Sequence, residues 1–303
     1  TGMAEGEFAV QDLTWEIVNK MNLGVELGFL NGMIDLQLDY FDERRKDIFM
    51  PRESVPMTAG FMKQPWKNFG KVTNQGVEVS LNVNKQFGKD LFVSLMGTFT
   101  YAHNEITEKD EPSAVVGTNR AETGHPVGQL TGYIAEGLFT EDDFEDVSTG
   151  KLKEGIPTQS FVSKLRPGDI RYRDVNGDGK VDVFDKSPIG GTKDPEIVYG
   201  FGLNMKYKDL DFGALFQGIG RSWNILGSSI IPGANRGVTG NMFTNANDRW
   251  TVDNPSQNVF YPRLDDGINS NNNQPSTWWL RNMSFLRLKN IELGYSLPKN
   301  LWR

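Results

Sequence analysis

Apolar and polar residues alternate along much of this chain with a period of two. Leu23, Val25, Leu27 and Phe29 alternate with Asn22, Gly24, Glu26 and Gly28, and Ile34, Leu36, Leu38 and Tyr40 alternate with Asp35, Gln37 and Asp39. A strand turns successive side chains to opposite faces, so each run predicts a strand with one apolar and one polar face. Asn31-Gly32 between them predicts a tight hairpin turn, because both positions tolerate positive φ. A second hairpin is predicted from Val77, Val79, Leu81 and Val83, turning near Phe87-Gly88-Lys89-Asp90 and returning through Val93, Leu95, Phe99 and Tyr101. A third carries Tyr199, Phe201, Leu203, Met205 and Tyr207, turns at Lys208-Asp209, and returns through Leu210, Phe212, Ala214 and Phe216. The last strand holds Leu286 and Leu288 in one phase and Ile291, Leu293 and Tyr295 in the other. That slip predicts a β-bulge near Lys289-Asn290.

The connections alternate between short and long. Short turns fall near residues 31, 88, 208 and 299, and long polar stretches near 43–72, 103–195 and 218–283. Compact soluble domains rarely hold such loops, whereas outer-membrane barrels combine short periplasmic turns with long external loops. The expected fold is all-β: an antiparallel transmembrane β-barrel, represented by about seven spanning strands. Counting the strand-like segment Gln129–Phe139 as a span would put long loops at consecutive ends. It is therefore expected outside the membrane, within one external excursion over residues 103–195. The alternative architecture is a soluble, secreted, calcium-stabilised β-sandwich that binds glycans, since sandwich strands also alternate.

Composition narrows the classes. The 303 residues include 33 Gly, 19 Phe, 8 Tyr and 7 Trp, a β-rich balance. Net charge is −7, with 32 basic and 39 acidic residues, which leaves no electrostatic footprint for nucleic acid. There is no cysteine and only His103 and His125 as histidines, which excludes disulfide frameworks and thiolate metal sites. Apolar runs are too short for a transmembrane helix; a mean hydropathy of −0.46 is compatible with a barrel, whose segments are individually weak in hydropathy.

One constellation carries metal chemistry. Asp174, Asn176, Asp178, Lys180, Asp182 and Asp185 stand at positions 1, 3, 5, 7, 9 and 12 of a loop with Gly179 at position 6. That is the spacing of an EF-hand-type calcium loop, in which Lys180 would offer its carbonyl. The expected cofactor is a structural Ca2+. An Asp at position 12 is shorter than the usual Glu, and no helical pattern flanks the loop, so a surface loop rich in Asx turns is the competing reading. The aromatics Phe61, Trp66, Trp223, Phe243, Trp250, Trp278 and Trp279 are candidates for stacking on sugars, although packing is the commoner use. The Asn269–Asn273 run suits ligand hydroxyls or a flexible loop. No acid–base pair or nucleophile motif points to an enzyme, and Gly200-Phe201-Gly202 is strand glycine without the helix a phosphate loop needs.

Several stretches together resemble the SusC/RagA family of TonB-dependent outer-membrane transporters. They are Trp15-Glu16 leading into Asn22-Leu23-Gly24-Val25-Glu26, Asp39-Tyr40-Phe41 with Asp47-Ile48, and Asn74-Gln75-Gly76-Val77-Glu78-Val79. Two more follow: Pro167-Gly168-Asp169-Ile170-Arg171-Tyr172 with Asp174-Val175-Asn176-Gly177-Asp178-Gly179, and Leu286-Arg287-Leu288-Lys289-Asn290-Ile291-Glu292-Leu293-Gly294-Tyr295. The resemblance implies a C-terminal part of a barrel of about 22 strands, with plug, TonB-box segment, closing strands and export signal lying outside this chain. It also implies location in the cell outer membrane and import of glycan or peptide fragments. A SusD-like surface lipoprotein would cap such a transporter, and TonB would energise it through the missing N-terminal part.

Overall fold

The structure is a computed structural model, and it describes residue 10 and residues 12–227, 243–265, 267 and 269–297. Seven long strands form one antiparallel sheet: β1 (Ile17–Phe29), β2 (Ile34–Pro51), β3 (Trp66–Phe87), β4 (Leu91–Glu108), β5 (Ile197–Tyr207), β6 (Leu210–Gly220) and β7 (Phe285–Tyr295). Each pairs with its neighbours in chain order and the sheet is open, with β1 and β7 at its edges. This is a segment of a barrel wall, not a sandwich: every other sheet among the described residues has two strands. Gln129–Phe139 contributes only short strands outside the wall, at Thr131–Gly132 and Ala135–Leu138.

Three predicted short turns lie at one end of the sheet. The amide of Asn84 donates to the Met33 carbonyl, that of Lys208 to Asp90, and that of Ser296 to Asp209, so neighbouring turns are stitched together. Asn31 and Gly32 take φ of 57° and 79°, as that turn requires, and Leu30 joins them at 53°. Phe29 pairs with Ile34, so the loop has four residues, not two. The turn near 299 lies outside the described residues.

At the opposite end the strands run further than alternation indicated. β2 and β3 continue to Pro51 and from Trp66, so their connection is residues 52–65, not 43–72. The extension was hidden by bulges: register shifts between Arg45 and Ile48, where Asp47 takes φ of 59°, and this breaks the period of two. The described residues of the connections 109–196 and 221–284 fold against each other around Tyr133, Leu138, Ile170, Tyr172, Val181, Trp250, Tyr261 and Trp279. They form a body outside the wall, called the external body below, with a core of its own; among the described residues the wall has none.

Candidate functional site

Register assigns every wall residue to a face. One row reads Leu27, Leu36, Leu81, Gly97, Phe201, Phe216 and Leu288 across all seven strands; the next reads Phe29, Ile34, Val83, Leu95, Leu203, Ala214 and Ile291. From the Tyr40–Tyr101 row to the Val83–Leu95 row this face is apolar or glycine; Lys85 joins it in the next row, beside Val93, Met205, Phe212 and Leu293, and the face is uncovered, with Leu293 80% exposed. Leu91 to Tyr101 rises about 34 Å along β4 at about 3.4 Å per residue. A tilt of about 40° reduces this to about 26 Å, the height of a hydrocarbon band on a barrel. Tyr40 and Tyr101 mark one border, and Phe87, Tyr207 and Tyr295 the other, as interfacial girdles do.

The opposite face reads Glu26, Gln37, Ser80, Thr98, Gly200, Gln217 and Arg287 in one row, with Asp39 and Glu78 paired in the row above. It is the face that water can wet. The bulge in β7 keeps Leu286 and Leu288 on the same apolar face as Ile291, Leu293 and Tyr295 despite their opposite phase. Leu288 pairs with Phe216 and Asn290 with Leu215, leaving Lys289 extra. The Lys289 ammonium donates to Gln217 Oε1 at 3.0 Å, on the polar side.

The external body is organised by the Pro167–Tyr172 motif. Gly168 has φ of 86°, and a Cβ there would lie 2.3 Å from the Trp250 ring, so only glycine fits. Asp169 is fully buried. Its Oδ1 accepts from Asn269 Nδ2 at 2.9 Å and Asn272 Nδ2 at 3.0 Å, its Oδ2 from the Arg166 amide at 2.9 Å, and Arg263 pairs with it at 3.1 Å. Burial pushes this carboxyl above its ordinary value, against the opposing pull of Arg263 and the donated hydrogen bonds. Asn271 Nδ2 donates to the Ile170 carbonyl, Gln159 Nε2 donates to Asn271 Oδ1, and the Tyr172 hydroxyl donates to the Asn271 carbonyl. The asparagine run is therefore the inner lining of a folded body, which corrects its reading as a flexible or hydroxyl-binding loop. Trp250 and Trp279 are buried in that body, and Trp278 Nε1 donates to the Phe260 carbonyl. Trp223 is half-buried and Phe61 partly covered, while Trp66 and Phe243 are exposed. Trp66 lies against Phe49 at 5.2 Å.

The predicted metal loop is present as a tight coil. Gly177 and Gly179 take φ of 76° and 85°. Asp174 accepts from the Gly177 and Gly179 amides at 2.7 and 2.8 Å, Asn176 from the Asp178 amide at 3.0 Å, and Asp178 from the Lys180 amide at 2.9 Å. Asp182 accepts from the Phe184 amide and pairs with Lys180 at 3.1 Å; the Phe184 amide first, and then Lys180, hold its carboxyl below the usual range. Asp185 is fully buried and accepts from the Val175, Asn176 and Asp182 amides. Among the described residues, no three His, Cys, Asp or Glu side chains stand at metal-holding spacing. The loop as folded keeps the sequence spacing of an oxygen cage without the convergence.

Sequence pattern gave no sign of the partners Gln159 and Arg263, nor of Glu196. That carboxylate clasps the wall top, with Oε1 2.6 Å from His103 Nδ1 and Oε2 3.1 Å from Arg221. All three sit at strand ends or in irregular chain, where no period applies.

A family model described as "TonB dependent receptor-like, beta-barrel" matches residues 2–301. The chain belongs to this TonB-dependent receptor family. A TonB-dependent receptor of Formosa agariphila is 27% identical over 309 residues, covering 98% of this chain and 29% of that receptor. The TonB-dependent receptor SusC of Bacteroides thetaiotaomicron is 28% identical over 298 residues, covering 97% of this chain and 27% of SusC. The structure of the RagAB peptide transporter aligns with a TM-score of 0.68 and 26% identity, over 97% of this chain and 30% of that one. The TonB-dependent receptor wall seen here thus spans under a third of the length of these relatives. Its place is the outer membrane.

Proposed function

We propose that this chain supplies wall, lumen lining and external body to an importer of oligosaccharide or peptide fragments, one that works with TonB and a SusD-like lipoprotein. The observation that carries the reading is the two-faced wall: a lipid-height, largely apolar band backed by a face that is polar over β1–β3, with Asp35, Asp39, Glu78, Ser80 and Asn82, and mixed over β4–β7, where Met96, Leu215 and Ile219 join it. The external body, folded from two long connections at the end opposite the short turns, offers the surface a lipoprotein cap would meet. Relatedness to SusC and to a peptide transporter supports nutrient import as the class. Deleting the gene for the full-length protein, and separately depleting TonB, should each abolish uptake of fluorescent maltohexaose or of fluorescent oligopeptides at low concentration. Undiminished uptake of both in both strains would overturn the reading.

The Asp174–Asp185 loop enters this proposal as a calcium-responsive brace. Its sixth-position glycine makes the sharp turn a calcium loop demands, which favours ion binding by Asp174, Asn176, Asp178, the Lys180 carbonyl and Asp182. Asp185 closes the loop on its own amides instead. Binding would draw Asp174 and Asp178 from their amide partners. Calcium titration of the purified transporter should release heat that Asp174→Ala with Asp178→Ala abolishes. No heat in the parent protein would leave the loop a metal-free Asx coil.

A further inference from the structure

Above the Tyr40–Tyr101 border, the polar face of β1–β4 opens into a cavity of about 530 Å³ that the sequence did not announce. Arg45, Val72 and Ile106 pair across β2, β3 and β4 five residues beyond Tyr40, Val77 and Tyr101. This places the cavity about 17 Å further along the strands at about 3.4 Å per residue. Its floor is aliphatic: Val18, Ile48, Met50, Val72, Ile106 and Val127. Its rim carries both signs of charge, as Arg45 beside Glu16 at 2.8 Å, Lys109 beside Glu122 at 2.9 Å, and Lys71 beside Glu108. None of its lining residues is aromatic.

We propose that this cavity is a peptide subsite, taking one aliphatic side chain of a zwitterionic oligopeptide on its way into the lumen. The inference rests on the importer reading and adds the substrate class to it. The rim could pair hydroxyls at the edge of a sugar ring, but those turned towards the aliphatic floor would lack partners there, which is costly. A leucine or valine side chain buries there at no such cost. The paired rim charges match what surrounds that side chain in a short peptide, namely an ammonium, a carboxylate and backbone amides, because each rim ion pair can exchange a neighbour for a ligand charge of the same sign. A cavity of this volume has room for a side chain and its flanking peptide groups.

The test uses the full-length transporter with its lipoprotein, purified in detergent. The probes are a free-ended hexapeptide with central leucine, the same peptide with serine there, and maltohexaose. Isothermal titration should show the leucine peptide binding at least about tenfold more tightly than the serine peptide. Val127→Asp, at an exposed part of the floor, should remove that preference, and Val127→Leu should retain it. A band that migrates differently in a gel before and after boiling confirms that each variant is folded. Equal binding of the two peptides, or a preference that survives Val127→Asp in the folded protein, overturns the subsite. Tight maltohexaose binding weakened by Val127→Asp overturns the peptide assignment. Either failure leaves TonB-dependent uptake of maltohexaose or of oligopeptides by intact cells, the test of the importer reading, to stand or fall separately.

Discussion

At the scale of single residues, chemistry concentrates where alternation stops. Gly168 shows why: positive φ and the Trp250 ring against its α-carbon exclude any side chain. Gly168→Ala should destabilise the external body by about 2–4 kcal/mol, from backbone strain plus a displaced indole. Limited proteolysis should then cut within residues 109–196 while the heat-modifiable barrel band is retained; an uncut variant would contradict the packing. Asp110 gives a pH-dependent counterpart. Burial raises its carboxyl, but the ion pair with Arg52 at 3.0 Å and hydrogen bonds from the Ser54 amide and hydroxyl outweigh that, so it lies below its ordinary 3.8. A lowered folded value means the contribution is present above about pH 3.8 and is lost as pH falls through the folded value. Cleavage in the 52–65 connection should rise below that pH in the native protein. Asp110→Asn should make it pH-independent, and an unchanged profile in Asp110→Asn would disprove the role.

At the scale of elements, the wall was legible in the sequence and the external body was not. A residue on one face of a strand recurs every second position whatever its partners, so Val77 to Val83 announced their own register. The slip at Lys289-Asn290 announced the bulge, because only an inserted residue shifts phase without ending the strand. The top of β2 was missed because its bulge at Lys46-Asp47 falls among charged residues, where neither phase has an apolar marker. The links of Asp169 to Asn269 and Arg263, and of Asn271 to Ile170, were missed because they bridge about a hundred residues, β5 and β6 among them. The Asp174–Asp185 spacing was visible, yet spacing alone does not say whether carboxylates face an ion or their own amides. At the element scale the faces make a sharp forecast. Leu81 lies midway up the band, so Leu81→Arg should cost about 2–4 kcal/mol in refolding into lipid. Ser80→Arg, one residue away on the wet face, should cost a fraction of that. Equal costs measured by urea titration in lipid vesicles would contradict the assignment of faces.

At the scale of the whole molecule, the parts divide the labour. Among the described residues the seven-stranded wall is open, with β1 and β7 at its edges, and the chain covers under a third of its relatives. The wall supplies a lipid face and a wet face; the external body is separately cored and lies at the end away from the short turns. The cavity at the top of the wet face lies between them. All of this depends on which face meets lipid, and because the chain has no cysteine, that can be read residue by residue. Single cysteines placed at each position from Val77 to Asn84 in the full-length transporter, in intact outer membranes, would be challenged with a charged maleimide and with a lipid-dissolved one. The account predicts strict alternation: Glu78, Ser80, Asn82 and Asn84 positions react with the charged reagent, and Val77, Val79, Leu81 and Val83 positions with the lipid-dissolved one only. Labelling with the opposite phase, or without a period of two, would contradict it.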